Sequence, residues 1–128
     1  MRLVDTVALI GYLNPRDREH RSSVGHLAKI ALDEDVFVPN LALVEADLVM
    51  KIRGYSHSER EVSWRALESK IPPSKILASS VSSIYSALQL QKQGMDYFDS
   101  LITSLALETS SIVVTTDKEI GKAVETEW

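Results

Sequence analysis

Three short runs of this chain, Leu3-Val4, Val36-Phe37-Val38 and Ile112-Val113-Val114, are apolar at successive positions, and helix-length segments separate them. Successive side chains of a strand point to opposite faces of a sheet, so a run apolar at every position is buried on both sides. A sheet with one wet face would read as alternation instead. The intervening segments are long enough to hold crossover helices. The pattern therefore predicts an α/β fold, a three-layer α/β/α sandwich around a short-stranded parallel sheet. At 128 residues the chain is expected to form one domain, 1–128.

The helices follow from spacing and from breakers. VALIGYL, after the first strand, has the length of a short helix that Asn14-Pro15 ends. From about Arg18 to Asp33, Val24, Leu27, Ile30 and Ala31 recur at helical intervals. Beyond Pro39, the stripe Leu41, Val44, Leu48, Val49 and Ile52 predicts the inward face of a helix closing at Gly54. Ser58-x-x-Glu61 reads as a capping box opening the next helix, which Pro72-Pro73 terminates. Ile76-Leu77 is a candidate third strand. Val81, Ile84, Ala87 and Leu88 mark a helix closing at Gly94, and Phe98, Leu101, Ile102 and Leu105 mark another. DKEIGKAV reads as a short closing helix, and a fifth strand is expected near Glu125–Trp128.

Composition excludes several chemistries. With no cysteine there is no disulfide, thiolate zinc site or thiol nucleophile. MRLVDT lacks the apolar core of a signal peptide, and no apolar run approaches the roughly 20 residues that span a bilayer. These features predict a cytoplasmic protein that does not contact membrane. The net charge of −4 is unlike that of a domain that simply coats nucleic acid. Any nucleic acid would have to be held by local basic groups and bound cations.

In open parallel sheets, ligands bind beyond the carboxyl ends of the strands. Asp5 ends the first strand, Asp117 follows the Ile112–Val114 strand, Glu45 lies in the first turns of the helix after Pro39, and Asp99 lies in the first turn of the helix carrying Leu101. Four acids thus converge on one sheet edge with no matching Lys or Arg. Gathered carboxylates repel, and burial raises their pKa values further, so the arrangement implies a central cation. Oxygen-only donors select Mg²⁺ or Mn²⁺. Such ions lower the pKa of water and clamp both oxygens of an in-line phosphodiester displacement. Each acid taken singly has a simpler reading. Asp5 suits a helix N-cap, Asp96 and Asp99 suit a helix start, and Asp117 suits a turn. Glu45, beside an apolar stripe, is harder to explain without a partner.

Asp96, one turn before Asp99, is placed to reach the site through water. Asp47 points about 200° around the helix from Glu45 and reads as solvent-facing. His20, His26 and His57 occupy no strand end and read as surface or helix-face residues. Activation of the attacking water would then fall to the ion. Arg16, Arg18, His20 and Arg21 form one basic cluster, Lys51 and Arg53 a second, Lys118 and Lys122 a third. All suit solvated faces, and Arg16, Arg18 and Lys118 are the first candidates for RNA contact. Trp64, Trp128, Tyr12 and Tyr85 read as core or interface residues.

VDTVAL near the start, PNLALVEADLV in the middle and YFDSLITSLALETSSIVVTTD late in the chain, in this order, resemble the PIN-domain family. That family includes the VapC-like toxin ribonucleases of VapBC toxin–antitoxin modules. The resemblance covers nearly the whole chain. It implies a parallel-sheet α/β/α fold and a Mg²⁺- or Mn²⁺-dependent endoribonuclease acting on single-stranded RNA. It places the family's four acids on Asp5, Glu45, Asp99 and Asp117, with Thr6 beside the first and Thr115 before the last as supporting hydroxyls. It also implies a homodimer held inactive by a cognate antitoxin protein. Two departures stand out: Ile120 lies where the family often has an aromatic residue, and the C-terminal tail is short.

Three other readings compete with the toxin ribonuclease. The first is a PIN-fold RNA-processing nuclease without a toxin role. The second is a phosphoacceptor signalling domain, which is disfavoured because Thr6 follows Asp5 and Pro39-Asn40 bring no acid after the second strand. The third is a non-catalytic docking domain, disfavoured because a scaffold gains nothing from clustered like charge.

Overall fold

A computed structural model describes residues 1–128. In chain order the strands are β1 (Arg2–Val4), β2 (Val36–Pro39), β3 (Ile76–Leu77), β4 (Ile112–Val114) and β5 (Thr126–Glu127). All pair in parallel, in the order β3-β2-β1-β4-β5. Leu3 lies opposite Phe37 on one side and Val113 on the other, which sets the two-faced apolar runs at the centre of the sheet. Leu3, Val4, Val38 and Val113 are buried, as continuous apolarity requires.

The helices are α1 (Thr6–Leu13), α2 (His20–Leu32), α3 (Asn40–Ile52), α4 (His57–Glu68), α5 (Val81–Lys92), α6 (Tyr97–Thr109) and α7 (Lys118–Gly121), with a 3₁₀ turn at Pro73–Lys75. Strand order runs one way from β1 to β3 and the other way from β3 through β4 to β5. Right-handed crossovers then put α1–α4 on one face and α5–α7 on the other. The predicted α/β/α sandwich is the one observed. Its strand order reverses between β1 and β4, and in open parallel sheets ligands bind at such a switch point, beyond the carboxyl ends of the strands.

Three local expectations are corrected. The capping box that opens α4 is Ser56 with Glu59, two residues earlier than Ser58 and Glu61. Ser56 Oγ accepts from the Glu59 N–H (3.1 Å), and the Ser56 N–H donates to Glu59 Oε1 (2.8 Å). Helix α3 buries Ala42, Ala46 and Met50, while Val44, Leu48 and Ile52 of the expected inward stripe face outward. Small residues let α3 approach its neighbours closely, a preference that hydrophobic periodicity does not register. Asp47 is not free in solvent: it accepts from Arg60 Nη2 (2.5 Å), Arg60 Nε (3.1 Å) and Trp64 Nε1 (2.8 Å), tying α3 to α4.

Helices α1 and α2 cross at Gly11. A Cβ there would land on the Ser23 hydroxyl, so glycine is what permits the approach. His20 Nδ1 lies 2.8 Å from the Gly11 carbonyl and fastens the start of α2 to the same point. No helix is long and apolar enough to cross a membrane.

Candidate functional site

The β1 ladder continues one residue past the strand, where the Asp5 N–H donates to the Val114 carbonyl (3.1 Å). Asp5 therefore stands at the carboxyl end of the central strand, and its side chain is buried. It occupies the N-cap position of α1 yet makes no side-chain cap, so capping does not explain it. Its Oδ2 accepts from the Thr115 hydroxyl at 2.7 Å, and Oδ1 is buried with no partner at all. Burial, more than any other influence, raises the Asp5 pKa; the Thr115 hydroxyl and the adjacent Thr6 N–H dipole oppose the rise, and the Asp117 charge adds to it.

Thr115 joins two of the acids. Its Oγ1 donates to Asp5 and accepts from the Asp117 N–H at 3.0 Å. Asp117 in turn caps α7, its Oδ1 accepting from the N–H groups of Glu119 (2.7 Å) and Ile120 (3.3 Å). Capping and site geometry coexist in this residue. Thr6 faces α3: its hydroxyl donates to the Ala42 carbonyl (3.4 Å), and its closeness to Glu45 opposes the rise of that residue's pKa.

Glu45 is half-buried, and burial raises its pKa first, followed by the charges of Asp5, Asp117 and Asp96. Asp99, in the first turn of α6, is pushed up to about 7, by burial first and then by Asp117, Asp5 and Glu45. The four acids expected from sequence thus come close enough to act on one another, from β1, α3, α6 and the start of α7. Asp96 is exposed at the α6 N-cap without a side-chain cap, and its charge reaches Glu45. Every charge that acts on Asp5, Glu45 or Asp99 is negative.

A cluster of this kind fits a hard divalent cation. It offers only oxygen donors, and it holds one buried carboxylate oxygen with nothing to bond. No three His, Asp or Glu side chains yet close around a common point, so the carboxylates would draw inward on binding. The basic candidates lie outside the cluster. Arg16 and Arg18 are exposed on the α1–α2 connection, with Arg18 near Glu19 (3.7 Å), and Lys118 is exposed at the first position of α7. His26 packs against Trp128 with ring centroids 4.5 Å apart, and His57 is exposed on α4. Tyr97, which sequence reasoning did not single out, stands exposed in the turn that carries Asp99. No sequence signal separates it from the buried stripe, because Leu101 follows it at helical spacing.

The acids at the switch point define a class: a parallel α/β domain with an acidic site at the carboxyl edge of the sheet. Within that class, the PIN domain family matches residues 2–125, and the chain belongs to it. FitAcB from Neisseria gonorrhoeae superposes with a TM-score of 0.73 at 24% identity, over 98% of this chain and 96% of that one. VapBC2 from Rickettsia felis, bound to a DNA fragment from its promoter, gives 0.72 at 17% identity, over 99% and 98%. VapC20 of Mycobacterium tuberculosis, described as a sarcin-ricin-loop-cleaving toxin, gives 0.72 at 12% identity, over 96% and 95%. At these identities the likeness establishes the fold. Comparison with curated proteins gave no match.

Proposed function

We propose that this protein is a metal-dependent endoribonuclease that hydrolyses RNA phosphodiester bonds, and the toxin of a type II toxin–antitoxin module. The observation that carries the reading is four acids near enough to act on one another, beside a buried, partnerless carboxylate oxygen and with no cationic side chain to balance them. In this reading Asp5, Glu45, Asp99 and Asp117 hold Mg²⁺ or Mn²⁺, with Asp96 contributing through water. The ion supplies neutralisation of the scissile phosphate and a lowered pKa for the attacking water. Thr115 fixes the Asp5 carboxylate and the Asp117 backbone in one frame, and Thr6, beside Glu45, favours its charged form. Arg16, Arg18 and Lys118 guide RNA toward the edge.

The toxin role draws support from the neighbours: VapC20 is a toxin by description, and VapBC2 was solved on promoter DNA. A cognate antitoxin would be the partner. The same acids would also serve an RNA-processing nuclease of this family, and a short DNA-binding antitoxin encoded beside the gene separates the two. We place a homodimer contact on α5, where Val81, Ile84, Tyr85 and Leu88 form an exposed apolar stripe. From Val81 to Gln91 that helix carries no charge, so a second copy can oppose it without like charges meeting. The proposed setting is the cytoplasm.

The decisive experiment incubates purified protein with structured and single-stranded RNAs, in Mn²⁺ or in chelator, beside Asp99→Asn. Cleavage is expected only with the native protein and the ion. Full activity in Asp99→Asn would overturn the site assignment.

A further inference from the structure

The hydroxyl that joins Asp5 to Asp117 belongs to a residue whose ladder bond comes from β5. Thr115 is the first residue past β4, and its N–H donates to the Glu127 carbonyl at 2.9 Å. On the other side of β4, the Asp5 N–H meets the Val114 carbonyl (3.1 Å), one residue short of Thr115. The place of the Thr115 hydroxyl, and with it the frame of two acids, therefore depends on where β5 lies.

Strand β5 is poorly equipped to hold itself. It is two residues long, partly exposed and at the edge of the sheet. So short a strand adds few ladder bonds and frays unless its ends are tied. Packing helps little on the side of α2, where a cleft of about 530 Å³ is lined by Val4, Val114, His26 and Glu127 among others. Two side chains fasten the strand. Glu127 Oε1 accepts from Arg2 Nε (2.5 Å), a bond that stays within the sheet. Trp128, the next residue, reaches off the sheet: its Nε1 donates to Glu19 Oε2 at the start of α2 (2.9 Å), and its ring packs against His26, with centroids 4.5 Å apart at 59°. From Asp5 Oδ2 a bond of 2.7 Å leads to Thr115, one of 2.9 Å leads on to Glu127, and Trp128 follows with its tie to α2.

We infer that Trp128 is a positioning residue for the acidic site: by pinning β5 to α2 it holds the Thr115 backbone, and through the Thr115 hydroxyl it orients Asp5 and the Asp117 amide for ion binding. The inference rests on the metal-dependent reading and adds to it a residue on an element remote from the acids. Trp128 touches neither ion nor substrate. Its loss loosens the geometry of the site and leaves the charges of the site unchanged.

The test is the Mn²⁺ dissociation constant, measured by isothermal titration calorimetry on native protein, Trp128→Ala, Glu19→Ala and Glu19→Gln, with Trp128→Ala repeated in a Thr115→Val background. Trp128→Ala and Glu19→Ala are each expected to weaken Mn²⁺ binding roughly 2- to 30-fold, the span for residues coupled to a site through others. Glu19→Gln, whose amide oxygen accepts the same indole N–H, should keep the native constant within about twofold. Once Thr115→Val has cut the route to the acids, Trp128→Ala should add no more than about twofold. A tryptophan that serves stability alone would lower the melting temperature and leave the dissociation constant where it was. Native affinity in either alanine variant, equal losses in Glu19→Gln and Glu19→Ala, or full additivity with Thr115→Val would overturn the inference while leaving the ion site standing. Should Trp128→Ala fail to fold, the two Glu19 variants decide alone. A native protein that binds no Mn²⁺ would remove the ion site and this inference together.

Discussion

Asp5 carries the sharpest local tension in the molecule, a buried carboxylate with one oxygen bonded to Thr115 and the other bonded to nothing. Thr115→Val keeps the shape and removes the bonds to Asp5 and to the Asp117 N–H; it should destabilise the protein by about 1–3 kcal/mol in urea denaturation. Asp99 makes the pH dependence readable. A carboxyl whose folded pKa lies above its unfolded value binds more protons when folded, so stability is highest at low pH and is lost as pH rises toward the folded pKa. With Asp99 at about 7, the chelated protein should melt at a lower temperature at about pH 8 than at about pH 6. Asp99→Asn should flatten that slope and raise the melting point at the alkaline end. Asp47 has the opposite sign. Bonds from Arg60 and Trp64 hold its pKa below the usual carboxylate value, so its contribution is present at neutral pH and disappears only in acid.

Sequence and structure agree unevenly over the elements, for physical reasons. Strands β1, β2 and β4, with Asp5 and Asp117 just beyond two of them, were legible because two-faced burial leaves a mark along a short central strand; β3 and β5, two residues each and partly exposed, carry only a faint one. The inward face of α3 was not, since Ala42 and Ala46 are chosen for size rather than hydrophobicity and the larger Val44, Leu48 and Ile52 were left outside. The α4 cap was misplaced because Ser56 and Ser58 offer the same hydroxyl, and only the entry angle of the chain decides which one closes on a glutamate. Ser56→Ala should cost about 1 kcal/mol, whereas Ser58→Ala should leave stability within about 0.5 kcal/mol. The α1–α2 crossing gives a further check: Gly11→Ala should destabilise by about 1–3 kcal/mol through overpacking, and Ser23→Ala should recover part of that loss.

At the scale of the whole molecule, charge repulsion at the edge and folding are coupled through any ion that binds there. Mn²⁺ at roughly a hundredfold excess over its dissociation constant adds about 2.7 kcal/mol, a rise on the order of 10 °C in melting temperature. Asp5→Asn should abolish that rise, and a rise that persisted in it would argue for ion binding elsewhere. Light scattering addresses the other whole-molecule question. Tyr85→Glu on α5 is expected to yield a monomer if that stripe joins two copies, and a native protein already monomeric would remove the proposed contact. The edges of the sheet constrain association differently. Its outermost strands, β3 and β5, are two residues long, so each offers a neighbour almost no free backbone to continue the ladder. Apolar helices can draw copies together, but strand-by-strand growth has no template. Self-association of this chain should therefore stop at a closed, countable assembly and not run on into fibrils.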